Sequence, residues 1–193
     1  MRIFSYIFKM SSMKMLAANV AVLLMAAFAS SAAADGSALT GADARIWDGL
    51  SRTSWIAQGD GARIVYAYVD PNCPYSRDLY AKAQQLLNPV TVQIRWIPVG
   101  VLPRVTESSR QKAAAVLKGG AKGLDLVMRG KSPDVSPSPR EFSQVSDSAD
   151  FLDEIAKYAP RGVPKFIYIK DAGDDVRIFT GVPQQSELAK VLR

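Results

Sequence analysis

The run of six apolar or aromatic residues at positions 64–69 constrains the fold more than any other feature, because polar and apolar residues do not alternate within it. Such a run, bounded by turn residues, is typical of a strand that is buried on both faces of a sheet. A helical pattern then begins at Pro74 and ends at Asn88, and residues 90–97 alternate like a second strand. Strand, helix and strand in this order favour a parallel pair joined by a right-handed crossover, which indicates an α/β fold.

The remaining elements follow from apolar spacing and from the positions of glycine and proline. Three further helices are predicted, at 42–57, 107–117 and 150–159. Residues 119–148 are rich in Gly, Ser and Pro and are predicted to be irregular. Two strands are predicted at 166–169 and 176–179, with a turn between them at 171–174. A final helix is predicted at 183–192. The predicted order is therefore βαβ, helices and then ββα, without internal repeats.

The N-terminal segment, residues 1–34, has the pattern of a secretory signal peptide. A basic start is followed by an uncharged apolar run and then by small residues up to Ala34. An uncleaved membrane anchor is the alternative, because the stretch from Leu16 to Ala34 is almost long enough to cross a bilayer. We expect cleavage and export, followed by a linker or helix over residues 35–60 and a domain over residues 61–193.

Two absences narrow the chemistry. The chain has no histidine, which excludes Ser-His-Asp and Cys-His catalysis and the common histidine-based zinc sites. It has one cysteine, and a single thiol in an exported protein suggests an intermolecular partner or a reactive group. The formal net charge of +6 lies partly in the signal segment and forms no Lys/Arg cluster. We therefore expect no metal site, no cofactor and no nucleic acid partner.

The single cysteine, Cys73, lies where the first predicted strand ends and a helix begins. The first-turn amides of a helix are unpaired and its dipole is positive there, so a thiolate is stabilised over a thiol. Pro74 suits the first helical position, since its missing N–H costs nothing there. These features favour a reactive group. The alternative is a small buried hydrophobic residue, which is the usual role of a lone cysteine.

Residues 70–75, Asp-Pro-Asn-Cys-Pro-Tyr, follow an apolar strand and resemble the active site of the DsbC/DsbG family of periplasmic disulfide isomerases, being closer to its DsbG branch. The similarity extends over about residues 50–193 through three further segments: 55–59, 95–101 and 161–164. The resemblance implies a periplasmic protein with a thioredoxin-like fold. It also implies a helical or loop insertion over about 103–160, between the second strand and the strand that carries a cis-proline.

The same resemblance implies roles for individual residues. Cys73 takes the place of the nucleophile, and Pro164 takes the place of the cis-proline that faces it. Val163, just before that proline, is expected to present backbone groups to an extended substrate. Pro74 and Tyr75 are expected to contribute to the substrate-binding surface. A trans proline that opens a strand is the alternative for Pro164, since X-Pro bonds adopt either form.

Several positions depart from the family pattern. Residues 73–76 read Cys-Pro-Tyr-Ser, so Ser76 stands at the second cysteine and excludes a cycle between dithiol and disulfide. The Ser76 hydroxyl is instead predicted to donate a hydrogen bond to the Cys73 thiolate. Ala67 stands where many thioredoxins bury a carboxylate, and Val163 stands where the family typically has threonine. No counterpart of the family's N-terminal dimerisation domain is expected.

Three functions stay open on the sequence alone. The first is a monothiol disulfide isomerase or reductase, in which Cys73 forms mixed disulfides with unfolded or misoxidised exported proteins and a thiol reductant is a second partner. The second is a redox-inactive binding module, such as a chaperone for an envelope complex. The third is a protein linked by a stable intermolecular disulfide through Cys73. Whether the chain is an enzyme, and its oligomeric state, are left open.

Overall fold

The computed structural model describes residues 41–170 and 175–193. The predicted signal peptide at 1–34, the start of the predicted linker and the predicted turn at 171–174 lie outside the described residues. Within the described ranges, no helix combines the length and the apolar character that crossing a bilayer requires.

The described residues form one sheet with helices on both faces. In chain order the elements are α1 (Gly41–Arg52), β1 (Ile56–Gln58), β2 (Arg63–Val69), α2 (Pro74–Leu86), β3 (Val92–Pro98), α3 (Thr106–Met128), α4 (Pro139–Ile155), β4 (Lys165–Lys170), β5 (Asp175–Thr180) and α5 (Gln185–Leu192). The strand order is β1-β3-β2-β4-β5, in which β2 and β3 are parallel and the other neighbours are antiparallel. The predicted α/β order, βαβ followed by helices and ββα, is confirmed.

The central strand β2 contributes to the core on both of its faces. Val65 and Ala67 belong to the cluster that includes α2, the second half of α3 and α5. Tyr66 and Tyr68 point to the opposite face, where they pack with residues of α1 and α4. Because successive side chains of a strand point to opposite faces, both layers require apolar residues. This explains the unbroken apolar run in the sequence.

The predicted helix over 42–57 is wrong at its C-terminal end. Helix α1 ends at Arg52, and the residues that follow form β1, in which Ile56 lies opposite Trp96 of β3. The Trp96 indole N–H also donates to Gln58 Oε1 at 2.8 Å. Pairing with a distant strand thus overrides the local helical spacing, which periodicity alone does not reveal.

The helix predicted over 107–117 is longer than expected. Gly120 has a φ of 60° and kinks α3 rather than ending it. The helix continues to Met128, and Leu124, Val127 and Met128 reach the core. The glycines therefore mark a break in helical geometry, as predicted, but the prediction that the helix ends there is wrong.

The irregular region predicted over 119–148 and the helix predicted over 150–159 also need correction. Helix α4 begins at Pro139 and ends at Ile155. Ser138 donates from both its N–H and its Oγ to Glu141 Oε2, at 2.7 Å each, and Pro139 suits the first turn. The dense Ser and Pro residues thus mark the start of a helix, so the segment between β3 and β4 is mostly helical.

Candidate functional site

A buried carboxylate organises the loop between β2 and α2. Asp70 is fully buried, and its Oδ1 accepts the N–H of Asn72 at 2.9 Å. Its Oδ2 accepts the N–H groups of Val101 at 2.9 Å and Leu102 at 3.2 Å. Three charge-assisted hydrogen bonds compensate for removing the carboxylate from water. They also join the end of β2 to the chain that leaves β3.

The backbone of Asp70 extends this arrangement to the start of α2. Its N–H donates to Ser76 Oγ at 3.1 Å, and its carbonyl accepts the N–H of Cys73 at 2.9 Å. Cys73 is the residue that caps α2, with φ of −78° and ψ of 120°, and Pro74 opens the helix. The predicted position of the cysteine at a helix start is confirmed.

The thiol faces the segment that precedes β4. The Cys73 thiol donates to the carbonyl of Val163, with 3.6 Å between Sγ and the oxygen. The Val163–Pro164 peptide bond is cis. Tyr68, near the end of β2, pairs with Lys165, at the start of β4. Cys73 and Pro164 are therefore brought to the same end of these two neighbouring strands.

Burial differs sharply between the thiol and its surroundings. Cys73 is 3% exposed and Pro164 is buried, whereas Val163 is half-buried. Pro74 and Tyr75 are exposed, with Tyr75 at 66%. The site therefore has features of both interpretations of the lone cysteine, since the thiol is shielded while the two residues that follow it are exposed.

Ser76 is fully buried, and its observed contact is with the loop rather than with the thiol. Its Oγ accepts the N–H of Asp70. Among residues 41–170 and 175–193, Ser76 makes no hydrogen bond to Cys73 Sγ. Donation from this hydroxyl to the thiolate stays a prediction, while the observed bond ties the first turn of α2 to the end of β2.

A buried lysine, which the sequence patterns did not single out, lies directly after Pro164. The Lys165 ammonium donates to the carbonyl of Pro160 and to Thr180 Oγ1, the latter at 3.0 Å. Thr180 Oγ1 in turn donates to the same carbonyl at 3.1 Å. Desolvation by burial lowers the pKa of Lys165. These contacts anchor the segment that carries Val163. The sequence feature that could have indicated a buried lysine is a charged residue at the start of an apolar strand.

A second set of polar contacts surrounds Asn72, the residue before the cysteine. Its Nδ2 donates to Ser109 Oγ at 3.0 Å, and its Oδ1 accepts from Lys112 Nζ at 2.6 Å. Both partners lie on α3. The loop that positions Cys73 is thus held from three sides, by β3, α2 and α3.

The chemistry available here is that of one thiol. Cys73 is a free cysteine, and the nearby carboxylate of Asp70 is occupied by three backbone donors. In the part of the chain that the structure describes, no three Cys, Asp or Glu side chains are grouped as a metal site requires. The arrangement supports nucleophilic attack by sulfur, without a second thiol in the motif to complete a dithiol cycle.

Comparisons with known proteins show the family and the fold to which the chain is similar. The chain matches a thioredoxin-like domain over residues 55–193. It is 30% identical over 153 residues to the thiol:disulfide interchange protein DsbG of Pseudomonas aeruginosa, an alignment that covers 76% of this chain and 58% of that protein. The chain therefore spans a little over half the length of this curated relative.

Solved structures show the same fold at low identity. A linker-deletion mutant of ScsC from Proteus mirabilis has a TM-score of 0.60 and 13% identity, covering 77% of this chain and 78% of that one. A periplasmic thioredoxin-like protein from Salmonella enterica serovar Typhimurium has a TM-score of 0.54 and 14% identity, covering 79% of this chain and 97% of that one. Likeness at this level concerns the fold alone.

Proposed function

Since the chain belongs to the thioredoxin-like domain family, we propose that it is a monothiol thiol–disulfide exchange protein whose Cys73 forms mixed disulfides with substrate proteins. The observation that carries the proposal is the contact between Cys73 Sγ and the Val163 carbonyl, next to the cis bond of Pro164. The similarity to a thiol:disulfide interchange protein supports the same chemistry.

The first step is attack by the Cys73 thiolate on one sulfur of a substrate disulfide. The Cys73–substrate S–S bond forms as the substrate S–S bond breaks, and the departing sulfur leaves as a thiolate that takes a proton from water. Cys73 caps α2, so the attacking sulfur belongs to the helix end whose first-turn N–H groups have no helical partner. The Asp70 contacts hold the loop so that this helix end stays in place.

The second step must use a thiol from outside the motif, because Ser76 replaces the second cysteine. When another substrate thiolate attacks the substrate sulfur of the mixed disulfide, Cys73 leaves as a thiolate. The substrate then holds a different disulfide, with no net oxidation or reduction. When a small thiol such as glutathione resolves the adduct instead, two such thiols become one disulfide and the substrate disulfide is reduced to two thiols.

The proposed substrates are unfolded or misoxidised exported proteins, and the proposed location is the periplasm. The signal-peptide pattern at residues 1–34 supports export. A disulfide-exchange protein acts where disulfides form and persist, which in bacteria means the periplasm. A thiol reductant in that compartment is the second proposed partner.

One observation favours a second candidate function, a binding module or chaperone for an envelope complex. Cys73 is 3% exposed, whereas the neighbouring Tyr75 is 66% exposed. An exposed aromatic ring offers area for binding an extended chain without any reaction at sulfur. In this case the exposed surface at Tyr75 would hold client proteins, and Cys73 would serve as a packed residue.

Refolding of ribonuclease with scrambled disulfides separates the two functions. We expect the chain to accelerate recovery of ribonuclease activity in a buffer with a low thiol concentration, and Cys73→Ala to lose the acceleration while keeping the native circular dichroism spectrum. Suppression of client aggregation is measured in parallel for both proteins. If neither accelerates refolding and both suppress aggregation equally, the binding module replaces the exchange protein as the function.

A further inference from the structure

Two cationic side chains contact the backbone and side chain of the residues just before Cys73. Arg77 is half-buried, and its Nε donates to the carbonyl of Pro71 at 3.1 Å. Lys112 is half-buried on α3, and its Nζ donates to Asn72 Oδ1 at 2.6 Å. Both bonds use neutral acceptors, so neither cation is neutralised by its partner.

Two further cations lie on the segments that meet at the thiol. Arg104 is exposed, two residues after Leu102, whose N–H is held by the Asp70 carboxylate. Arg161 is exposed, two residues before Val163, whose carbonyl accepts from the thiol. The four side chains Arg77, Arg104, Lys112 and Arg161 are here called the cationic rim.

Members of the cationic rim make no ion pair with any carboxylate of the described residues, unlike many other cations of the chain. Arg52 and Arg129, for example, each pair with an aspartate one helical turn away. The acidic residues near the rim are already engaged. Asp78 pairs with Lys82 at 2.7 Å and Glu107 with Arg110 at 3.8 Å. Among the described residues, the segments that flank Cys73 thus carry four cations without a carboxylate partner, against one buried carboxylate, Asp70, whose partners are backbone N–H groups.

Exposed apolar groups lie on the same segments. Tyr75 is 66% exposed and Val105, next to Arg104, is 42% exposed. Large apolar side chains can add binding area, while cations around them select the charge of what binds. A surface of this composition is complementary to an extended chain that carries both apolar and acidic residues.

We propose that the cationic rim selects protein segments in which the reacting cysteine is flanked by acidic residues. This inference rests on the proposed function of Cys73 and adds the chemical class of its substrate. Charges on a bound segment interact with the rim when they come within a screening length of it, which is about 8–10 Å at physiological salt. Complementary charge raises the rate of productive encounter by about tenfold or more and weakens as salt is added.

Three synthetic peptides test the proposal. Each contains one cysteine joined in a disulfide to neutral 2-thiopyridine, with two glutamates, two glutamines or two lysines on either side. Attack by Cys73 forms the peptide adduct and releases pyridine-2-thione, which is measured by its absorbance. We expect the glutamate peptide to react about tenfold faster than the lysine peptide at low salt, and this ratio to fall towards one in 0.5 M NaCl.

Charge reversal locates the effect. The double variant Arg104→Glu and Arg161→Glu is expected to lower the ratio between the glutamate and lysine peptides by at least about fivefold. The double variant Arg45→Glu and Arg140→Glu is the control with the same change in net charge, because both residues are exposed and lie outside the segments that meet at Cys73. The control should leave the ratio unchanged. Circular dichroism establishes that all variants are folded.

The outcomes separate this inference from the function on which it rests. Equal rates for all three peptides would overturn the acidic substrate class while leaving exchange by Cys73 intact. The 2-thiopyridine disulfide of glutathione is a further probe. If it reacts fast while the three peptides react equally, the acidic substrate class is also overturned, and a small anionic thiol compound is the preferred substrate instead. A folded protein that reacts with none of the probes would overturn the proposed function and this inference together.

Discussion

Cys73 Sγ lies 3.6 Å from the carbonyl oxygen of Val163 and donates its thiol hydrogen to it. This bond is available only to the protonated cysteine, because a thiolate has no hydrogen to donate. Ionisation therefore produces the nucleophile and at the same time removes the bond that holds the sulfur against the backbone. The thiol that makes this bond and the thiolate that attacks a substrate are thus expected to differ in position as well as in charge.

The buried carboxylate of Asp70 should be essential to the stability of the loop between β2 and α2. In Asp70→Asn, one side-chain oxygen becomes an NH₂ group that faces backbone donors, so at least one N–H loses its acceptor. We expect the free energy of unfolding to fall by about 2–3 kcal/mol, measured by urea denaturation. Asp78→Asn is the control, since Asp78 forms an exposed pair and should change stability by less than about 0.5 kcal/mol. A loss in Asp70→Asn as small as that of the control would contradict the role assigned to this carboxylate.

Replacing Ser76 should change the fate of the mixed disulfide rather than its formation. A cysteine at this position lies one helical turn from Cys73, so in Ser76→Cys it can attack the adduct, release the substrate thiol and leave a disulfide within the motif. We expect the adduct to have a much shorter lifetime in Ser76→Cys than in wild type, measured by acid quenching and intact mass. Ser76→Ala supplies no thiol and should keep a long-lived adduct. Equal lifetimes in the cysteine and alanine variants would mean that this position does not reach the reacting sulfur.

The buried ammonium of Lys165 should give stability a distinctive dependence on pH. Burial lowers the pKa of Lys165 in the native chain. At pH values between this lowered pKa and the ordinary lysine value of about 10.4, the side chain is therefore protonated in the unfolded chain and neutral in the native chain. Stability relative to Lys165→Met should therefore rise with pH across that window, while the full cost of burying the charge applies below it. Guanidinium unfolding from pH 7 to pH 10 measures this difference. Lys170→Met, which removes an exposed lysine of the same strand, is the control, and a pH dependence for Lys165→Met no larger than for this control would refute the assignment.

The parts of the site that depend on local pattern could be predicted from the sequence. The unbroken apolar run of β2 indicates burial on both faces, and Pro74 marks the first turn of the next helix, so the position of Cys73 between them follows. The approach of Pro164 to Cys73 followed from the family resemblance, and the structure brings the two segments together.

Features that depend on distant contacts could not be predicted in this way. The carboxylate of Asp70 is recognisable as a turn residue, but its bonds to Val101 and Leu102 join segments about thirty residues apart. The short strand at Ile56 forms because β3 offers an unpaired edge, and three residues carry too little periodicity to reveal it. Burial of the Cys73 thiol likewise depends on how distant segments pack around it, and the sequence of the motif does not predict it.

Trapping the mixed disulfide tests the central claim most directly. The reduced, folded chain is mixed with a client protein that holds mispaired disulfides, the reaction is quenched with acid, and intact masses are measured without reductant. We expect a covalent adduct of one chain and one client through Cys73, and no adduct with Cys73→Ser. An adduct that appears only when urea unfolds the chain would contradict it, because the native fold would then keep Cys73 sealed from every substrate.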